Sequence, residues 1–288
     1  MSSPDNPRPL LPPPGRTWVM GILNLTPDSF SDGGRLQRPG AALREAGKML
    51  AAGAQLLDLG GQSTRPGAAE VGDHAELARV LPTLRQIRQA HPAAVLSVDT
   101  YRAAVAEAAL AAGADWINDV SGGRREPAIL PLVAAAGCPY VLMHSRGDSR
   151  TMDSQAVYGD VVAEVRSELL RASERALAAG VRPQQLVWDP GLGFAKTTEQ
   201  NLELLRSLEL LADEGFPLLV GPSRKRFIGA VLAEERPRAR IWGTAAVCAL
   251  AAARGAAVLR VHDVGPIVQT ARMAEAVRGA AGPRFSPP

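Results

Sequence analysis

The chain has 288 residues, 46% hydrophobic and 21% charged, with a net charge of +3 at pH 7 and a pI of about 9.2. That is apolar content for one large or two medium domains, and no stretch approaches the ~18 uninterrupted apolar residues of a membrane-spanning helix. Arginines are scattered among glutamates and aromatics are only 4%, so no basic block interleaved with aromatics is present for nucleic acid; the basic balance suits a small anionic substrate.

Residues 1–15 are rich in Pro and Ser and have no apolar core, which predicts a disordered tail rather than a signal peptide. Trp18–Leu23 follows as a short apolar run, the pattern of a strand buried on both faces. At Asn24 the character flips to a polar loop running to Gly34, with Pro27 and the Gly33-Gly34 pair setting turns. A polar loop at the carboxyl end of a buried strand is where α/β folds keep their chemistry.

The same unit then recurs. Further strands are predicted at Leu56–Leu59, Val95–Val98, Trp116–Ile117, Tyr140–Met143, Leu186–Trp188, Leu218–Val220 and Val258–Val261. Helices are predicted at Ala41–Ala52, Asp73–Ala90, Ala103–Ala112, Ala128–Ala136, Val157–Ala179, Glu199–Asp213, Arg240–Arg254 and Ile267–Val277. Six of the Ala-rich stretches close on a glycine (Gly53, Gly113, Gly137, Gly180, Gly215, Gly255), as a helix does when its end turns left-handed before a strand. A doubly wound open sheet fits this alternation, but eight strands with eight helices and no second domain favour a single (β/α)8 TIM barrel over residues 16–282, with 283–288 a second tail. Cys138 and Cys248 stand alone in apolar contexts, as reduced core thiols of a cytoplasmic protein do.

A barrel brings its strand ends to one face. The second end, Asp58 to Gly67, has glycines for close backbone approach and Thr64 and Arg65 for an oxyanion. The third carries Asp99, the fourth Asn118, and the fifth Met143-His144, where on their own the Met reads as core filling and the His as structural. The sixth has Asp189 before Gly191-Leu192-Gly193, which lacks the third glycine of a dinucleotide fingerprint. The seventh sets Lys225 between two arginines at a helix start, and the eighth carries Arg260 and His262 on one face by the period of two. The aspartates suit the N–H edge of a heterocycle, and the cations (Lys225, Arg260, His262, Arg65) suit a phosphate or diphosphate. Zinc spacings are absent; magnesium is the expected cofactor, since a diphosphate supplies most of its ligands.

In this order the motifs Met20–Gly34, Gly60–Gly67, Ser97–Thr100, Asn118–Gly123, Asp189–Thr197 with Ser223–Arg226, and Arg260–Val264 resemble those of the dihydropteroate synthase family of pterin-binding barrels. The resemblance implies a transferase of folate biosynthesis, targeted by sulfonamides, that condenses 6-hydroxymethyl-7,8-dihydropterin diphosphate with p-aminobenzoate. It implies that Asp99, Asn118, Asp189 and Lys225 hydrogen-bond the pterin, with Met143, Phe194 and Arg260 packed along it. It puts Asn24, Thr64, Arg65, Arg260 and His262 on the diphosphate, Asn24 also on magnesium, and Phe30, Pro66 and Ser223 around p-aminobenzoate. Asp99, Lys225, Arg260 and His262 are the expected catalytic set, and a homodimer is the expected assembly, with no membrane or nucleic-acid partner. The chain departs from the family pattern in three places: Gln62 for a common Glu, Ala195 for a common Gly, and the pair Ser145-Arg146 for Met-Gln. A methyltransferase of methyltetrahydrofolate would share the pterin carboxylates but not the diphosphate set; a catalytically silent binding paralogue would rest on Gln62 alone.

Overall fold

The computed structural model describes residues 9–26, 40–65 and 67–279. Eight parallel strands close in sequence order: β1 (Trp18–Asn24), β2 (Leu56–Gly60), β3 (Val95–Asp99), β4 (Trp116–Asp119), β5 (Tyr140–Met143), β6 (Leu186–Asp189), β7 (Leu218–Val220) and β8 (Ala256–Val261). β8 returns to β1 with Met20 opposite Arg260, so the expected barrel is the one formed. Around it run α1 (Ala41–Ala51), α2 (Asp73–Ala90), α3 (Ala103–Ala111), α4 (Ile129–Ala136), α5 (Val161–Ala178), α6 (Thr198–Arg206), α7 (Leu208–Ala212), α8 (Arg226–Leu232), α9 (Ile241–Ala253) and α10 (Val264–Val277).

Most strands run a residue or two past their apolar cores, because the backbone ladder continues through polar side chains such as Asn24, Asp119 and Asp189. α5 starts later than expected: the Asp160 carboxylate accepts from Val162 N at 3.0 Å and Ala163 N at 2.9 Å, capping the helix there. The expected helix over 199–213 breaks at Ser207, whose backbone leaves the helical region. α8, of seven residues, is too short to announce itself by periodicity. The six predicted helix-closing glycines all take positive φ, from 68° at Gly137 to 98° at Gly113.

Inside the barrel each strand gives one side chain to a single buried layer: Met20, Leu56, Val95, Trp116, Val141, Val187, Leu219 and Val258. Leu10 and Leu11 pack against this layer, and Trp116 Nε1 donates to Leu10 O at 2.8 Å. The described part of the expected amino-terminal tail, residues 9–15, is therefore anchored rather than free; a Pro-rich composition hid two leucines that close the barrel's lower end.

The layer also fixes what lies above it. Side chains alternate along a strand, so the inward residues two or four steps toward the carboxyl ends are Asn24, Asp58, Asp99, Asn118, Met143, Asp189, Arg260 and His262. Their neighbours face the helices. Asp119 is one of these: it accepts from Tyr140 Oη at 2.6 Å, Ser121 N at 2.7 Å and Gly123 N at 2.8 Å, a turn-building carboxylate.

Candidate active site

The floor of the site is acidic and is organised by Arg260. Its Nε donates to Asp58 Oδ2 at 2.6 Å and its Nη2 to Asp99 Oδ2 at 2.8 Å. Asn118 Nδ2 donates to the same Asp58 oxygen at 3.0 Å. Asp58 is fully buried and thus sets the orientation of both an arginine and an amide. Arg260, expected both against the pterin and on the diphosphate, sits in the floor, presenting a flat guanidinium held at two points.

Burial, the dominant cause, raises the Asp99 pKa from 3.8 to about 7; Arg260 pulls it down, while Asp58, Glu76 and Asp119 push it further up. Burial likewise raises Asp189, against Lys225 and its bond from Gly191 N at 2.7 Å. Burial lowers Lys225 to about 8, with Asp189 and Asp99 opposing and Arg260 assisting. Lys225 Nζ donates to Leu192 O and lies 4.4 Å from the Phe194 ring centroid. Met143 pairs with Asp189 across the β5–β6 ladder and is buried beside it.

The rim carries donors. Ser223 Oγ accepts from His262 N at 3.1 Å and lies 2.9 Å from His262 Nδ1. Asn24 Nδ2 donates to His262 Nε2 at 3.4 Å, so the ring proton is assigned to Nδ1, which donates to Ser223 Oγ. Desolvation, then Arg224, Arg260, Arg65 and Lys225, hold His262 well below its ordinary range. It is a neutral imidazole, which corrects its reading as a cation: burial, and then the four positive groups around it, suppress its charge. Thr64 and Arg65 complete the same cavity of about 820 Å³ with Asn24, Asp99, Phe194, Ser223, Lys225, Arg260 and His262. Asn118, Met143 and Asp189 lie deeper, in the strands; Phe30 and Pro66 fall outside the described residues.

The backbone around Ser223 is held tightly. Arg224 takes a left-handed φ of 62° and is fastened to Asp263 through Nε at 3.0 Å and Nη2 at 2.7 Å. Its carbonyl accepts from Arg240 and its N–H donates to Thr244 Oγ1 at 3.2 Å. A strained non-glycine residue pinned on every side marks a loop whose flanking residues, Ser223 and Lys225, must not wander.

A polar mouth of this composition has a family. The family model described as pterin binding enzyme matches residues 20–262. The chain belongs to the pterin binding enzymes. It is 49% identical over 262 residues to the dihydropteroate synthase of Synechocystis, covering 91% of this chain and 90% of that one. The Yersinia pestis dihydropteroate synthase, solved with a sulfonamide drug complex, superposes with a TM-score of 0.88 at 43% identity, covering 92% and 95% of the two chains. The Xanthomonas albilineans dihydropteroate synthase, solved with 4-aminobenzoic acid, gives 0.85 at 44% identity, with 93% and 94% covered.

The three departures from the family pattern have local accounts. Gln62 bridges the second loop: its amide donates to Tyr101 Oη at 3.2 Å and accepts from Val71 N at 3.3 Å, so it braces the loop without a charge. Ala195 takes φ 47°, where a glycine is at ease and an alanine is strained. Arg146 lies over the Tyr158 ring at 3.9 Å and donates to Val157 O at 2.6 Å, facing α5 rather than the cavity. Two residues escaped the sequence reading. Asp58 was hidden in a strand read for its apolar neighbours, and Lys196, buried and lining the cavity, stands well past its strand's end.

Proposed function

We propose that this barrel joins 6-hydroxymethyl-7,8-dihydropterin diphosphate to p-aminobenzoate, releasing pyrophosphate and 7,8-dihydropteroate, the dihydropteroate synthase reaction. The observation that carries the reading is the ordering along the barrel axis: acceptors below (Asp99, Asn118, Asp189), and above them the donors Asn24, Thr64 and Arg65 beside a neutral His262. A substrate with an N–H-rich heterocycle at one end and a diphosphate at the other matches that order. Asp99, Asn118 and Asp189 receive the pterin's N–H edge, Lys225 donates to it, and Arg260 lies flat against it with Phe194 and Met143. Ser223, with Phe30 and Pro66, shapes the p-aminobenzoate site.

The step is SN1-like. The C–O bond breaks with its electron pair going to the diphosphate, positive charge spreads into the pterin, the aniline nitrogen then forms the C–N bond and its extra proton leaves. Asp99 and Asp189 stabilise the cation, and the rim donors stabilise the departing anion without reorganising. Closure of the second loop, Thr64 and Arg65 included, excludes the water that would otherwise capture the cation.

Magnesium fits one residue. With the Asn24 Nδ2 turned to His262, its Oδ1 is a neutral oxygen at the mouth, and among the described residues no group of three or more His, Cys, Asp or Glu could hold a metal by itself. A hard cation with few protein ligands is one that a diphosphate completes, and bound there it would neutralise leaving-group charge.

A homodimer suits the face formed by α8, α9 and α10. Val231, Leu232, Trp242, Leu250, Met273 and Val277 are all exposed on it, Trp242 at 80%. Among the described residues no helix is long and apolar enough to cross a membrane, and two buried free thiols suit a reducing cytoplasm.

The experiment is pyrophosphate release from pterin diphosphate. Release that depends on p-aminobenzoate and is inhibited competitively by a sulfonamide supports the reading; no release under these conditions refutes it. Thr64→Ala and Arg65→Ala should divert product to hydroxymethyl-dihydropterin through water attack. Diphosphate loss strictly second order in p-aminobenzoate, with no diverted product, would refute the SN1-like order of steps.

A further inference from the structure

We infer that Lys196 is a positioning residue for this reaction, its buried ammonium holding the loop after β6 so that Leu192 and Phe194 meet Lys225. The inference rests on the pterin role proposed above for Lys225. Lys196 Nζ lies 2.9 Å from His144 Nδ1, 3.1 Å from Gly191 O and 3.0 Å from Phe194 O. Burial pulls Lys196 down to about 7, with Asp189 opposing, and three acceptors for the three protons of an ammonium favour the charged form and leave no proton unused.

His144 can accept only if its other nitrogen carries the proton, and Glu168 arranges this. The carboxylate accepts from His144 Nε2 at 3.0 Å, so Nδ1 keeps its lone pair for Lys196. Arg146 in turn is ion-paired to Glu168. Burial holds His144 down to about 4, which keeps it a neutral acceptor beside the lysine. A line of four side chains, Arg146, Glu168, His144 and Lys196, thus runs from the half-buried rim into the loop.

The loop itself is wound around the ammonium. The carbonyls of Gly191 and Phe194 turn inward to Lys196, while that of Leu192 accepts from Lys225. There is no slack on either side. A Cβ on Gly191 would fall 1.9 Å from His144 O, and one on Gly193 would fall 2.8 Å from Lys225 Cδ. Without the ammonium two inward carbonyls lose their partner, and a loop in this position cannot rearrange without moving Leu192 O and the Phe194 ring away from Lys225.

Lys196→Met keeps the aliphatic stem and removes the three donors. The assay is fluorescence titration of the full chain with 6-hydroxymethylpterin, which binds without reacting, alongside kcat, KM for both substrates and thermal melting. Expected is at least about tenfold weaker pterin affinity and a matching loss in kcat/KM for the pterin diphosphate, with a smaller change in the p-aminobenzoate KM, because Ser223 is held by His262 instead. His144→Phe should act in the same direction, and the double variant should lose no more than the worse single one, as members of one chain do. Glu168→Gln, at the partly exposed end, should weaken pterin binding several-fold with only a modest drop in melting temperature, and so tests the chain even where Lys196→Met folds poorly. Pterin affinity within about twofold of wild type in Lys196→Met and Glu168→Gln, or strictly additive losses, would overturn the inference. Asp99→Asn and Lys225→Ala in the same titration separate the two readings. If they bind pterin normally, the site assignment falls; if they fail to bind while Lys196→Met binds, only the positioning role falls.

Discussion

Asp99 is held ionisable in the barrel at a cost to stability, and Asp99→Asn measures that cost. The carboxylate is inside the barrel and its pKa rises from 3.8 to about 7 on folding, chiefly by burial. Between those values the folded protein holds a proton that the unfolded chain has lost, so stability falls as pH rises from about 4 to about 7 and is level above. A gap of about 3 units at about 1.4 kcal/mol each puts the penalty on the order of 4 kcal/mol near pH 8. Asparagine has nearly the shape of the protonated acid and incurs none of it, and Arg260 retains Asp58 at 2.6 Å. We expect Asp99→Asn to be more stable than the parent by roughly 2–4 kcal/mol near pH 8 and by no more than about 1 kcal/mol near pH 4.5. Urea unfolding followed by tryptophan fluorescence at both pH values reads this directly. Turnover should fall by about two to three orders of magnitude, the effect of removing one pre-placed polar group at a reacting centre. An Asp99→Asn protein less stable than the parent near pH 8, or a difference that does not change with pH, would refute the reasoning.

Lys225→Ala should lower kcat/KM by about 3–4 kcal/mol of barrier while leaving melting nearly unchanged, since burial already disfavours this cation; near-normal rates would remove Lys225 from the site. The pH profile of kcat/KM for the free enzyme should be bell-shaped, rising as Asp99 loses its proton near 7 and falling as Lys225 loses its own near 8; the acid limb should vanish in Asp99→Asn. Trp242→Arg, at an 80% exposed position, should shift sedimentation from dimer to monomer with melting of the monomer intact; an unchanged sedimentation coefficient would place the dimer face elsewhere. Ala195→Gly should raise stability by about 0.5–1 kcal/mol in urea unfolding by relieving a left-handed alanine, and a loss instead would mean that its buried methyl group outweighs the strain.

The fold was legible because a barrel of buried parallel strands writes itself twice, once as apolar runs and once as helix-closing glycines. Both signals are local, and each strand needs only a few residues to show it. What escaped was structure whose cause is not periodic. The end of α6 depends on one residue, Ser207, in a stretch whose leucines continue in helical register. The start of α5 depends on the Asp160 side chain turning back on the backbone. Leu10 and Leu11 carry no pattern at all; they are apolar residues in a Pro-rich segment, and only the hole at the bottom of a closed barrel gives them a partner.

In the site the division runs between position and charge state. Period two along each strand is enough to place Asp99, Asn118, Asp189, Arg260 and His262 on one inward face, because a side chain's direction follows from its count along the strand. Protonation follows from what surrounds the group, which the chain brings from everywhere. His262 reads as a cation in isolation and is neutral because Arg224, Arg260, Arg65 and Lys225 crowd it after burial has already acted. Arg260 reads as one cation among those of the mouth, and is held to the floor because Asp58, two residues above Leu56 on its strand, lies fully buried and within 2.6 Å of its Nε. The consequence is a mouth whose charge is graded rather than merely mixed: ion-paired acid at the bottom, a neutral imidazole and amide at the lip, and Arg65 beyond them. A diphosphate entering such a gradient meets Arg65 and uncharged side chains before it meets the carboxylates, so the acids can be held for the heterocycle without repelling the leaving group.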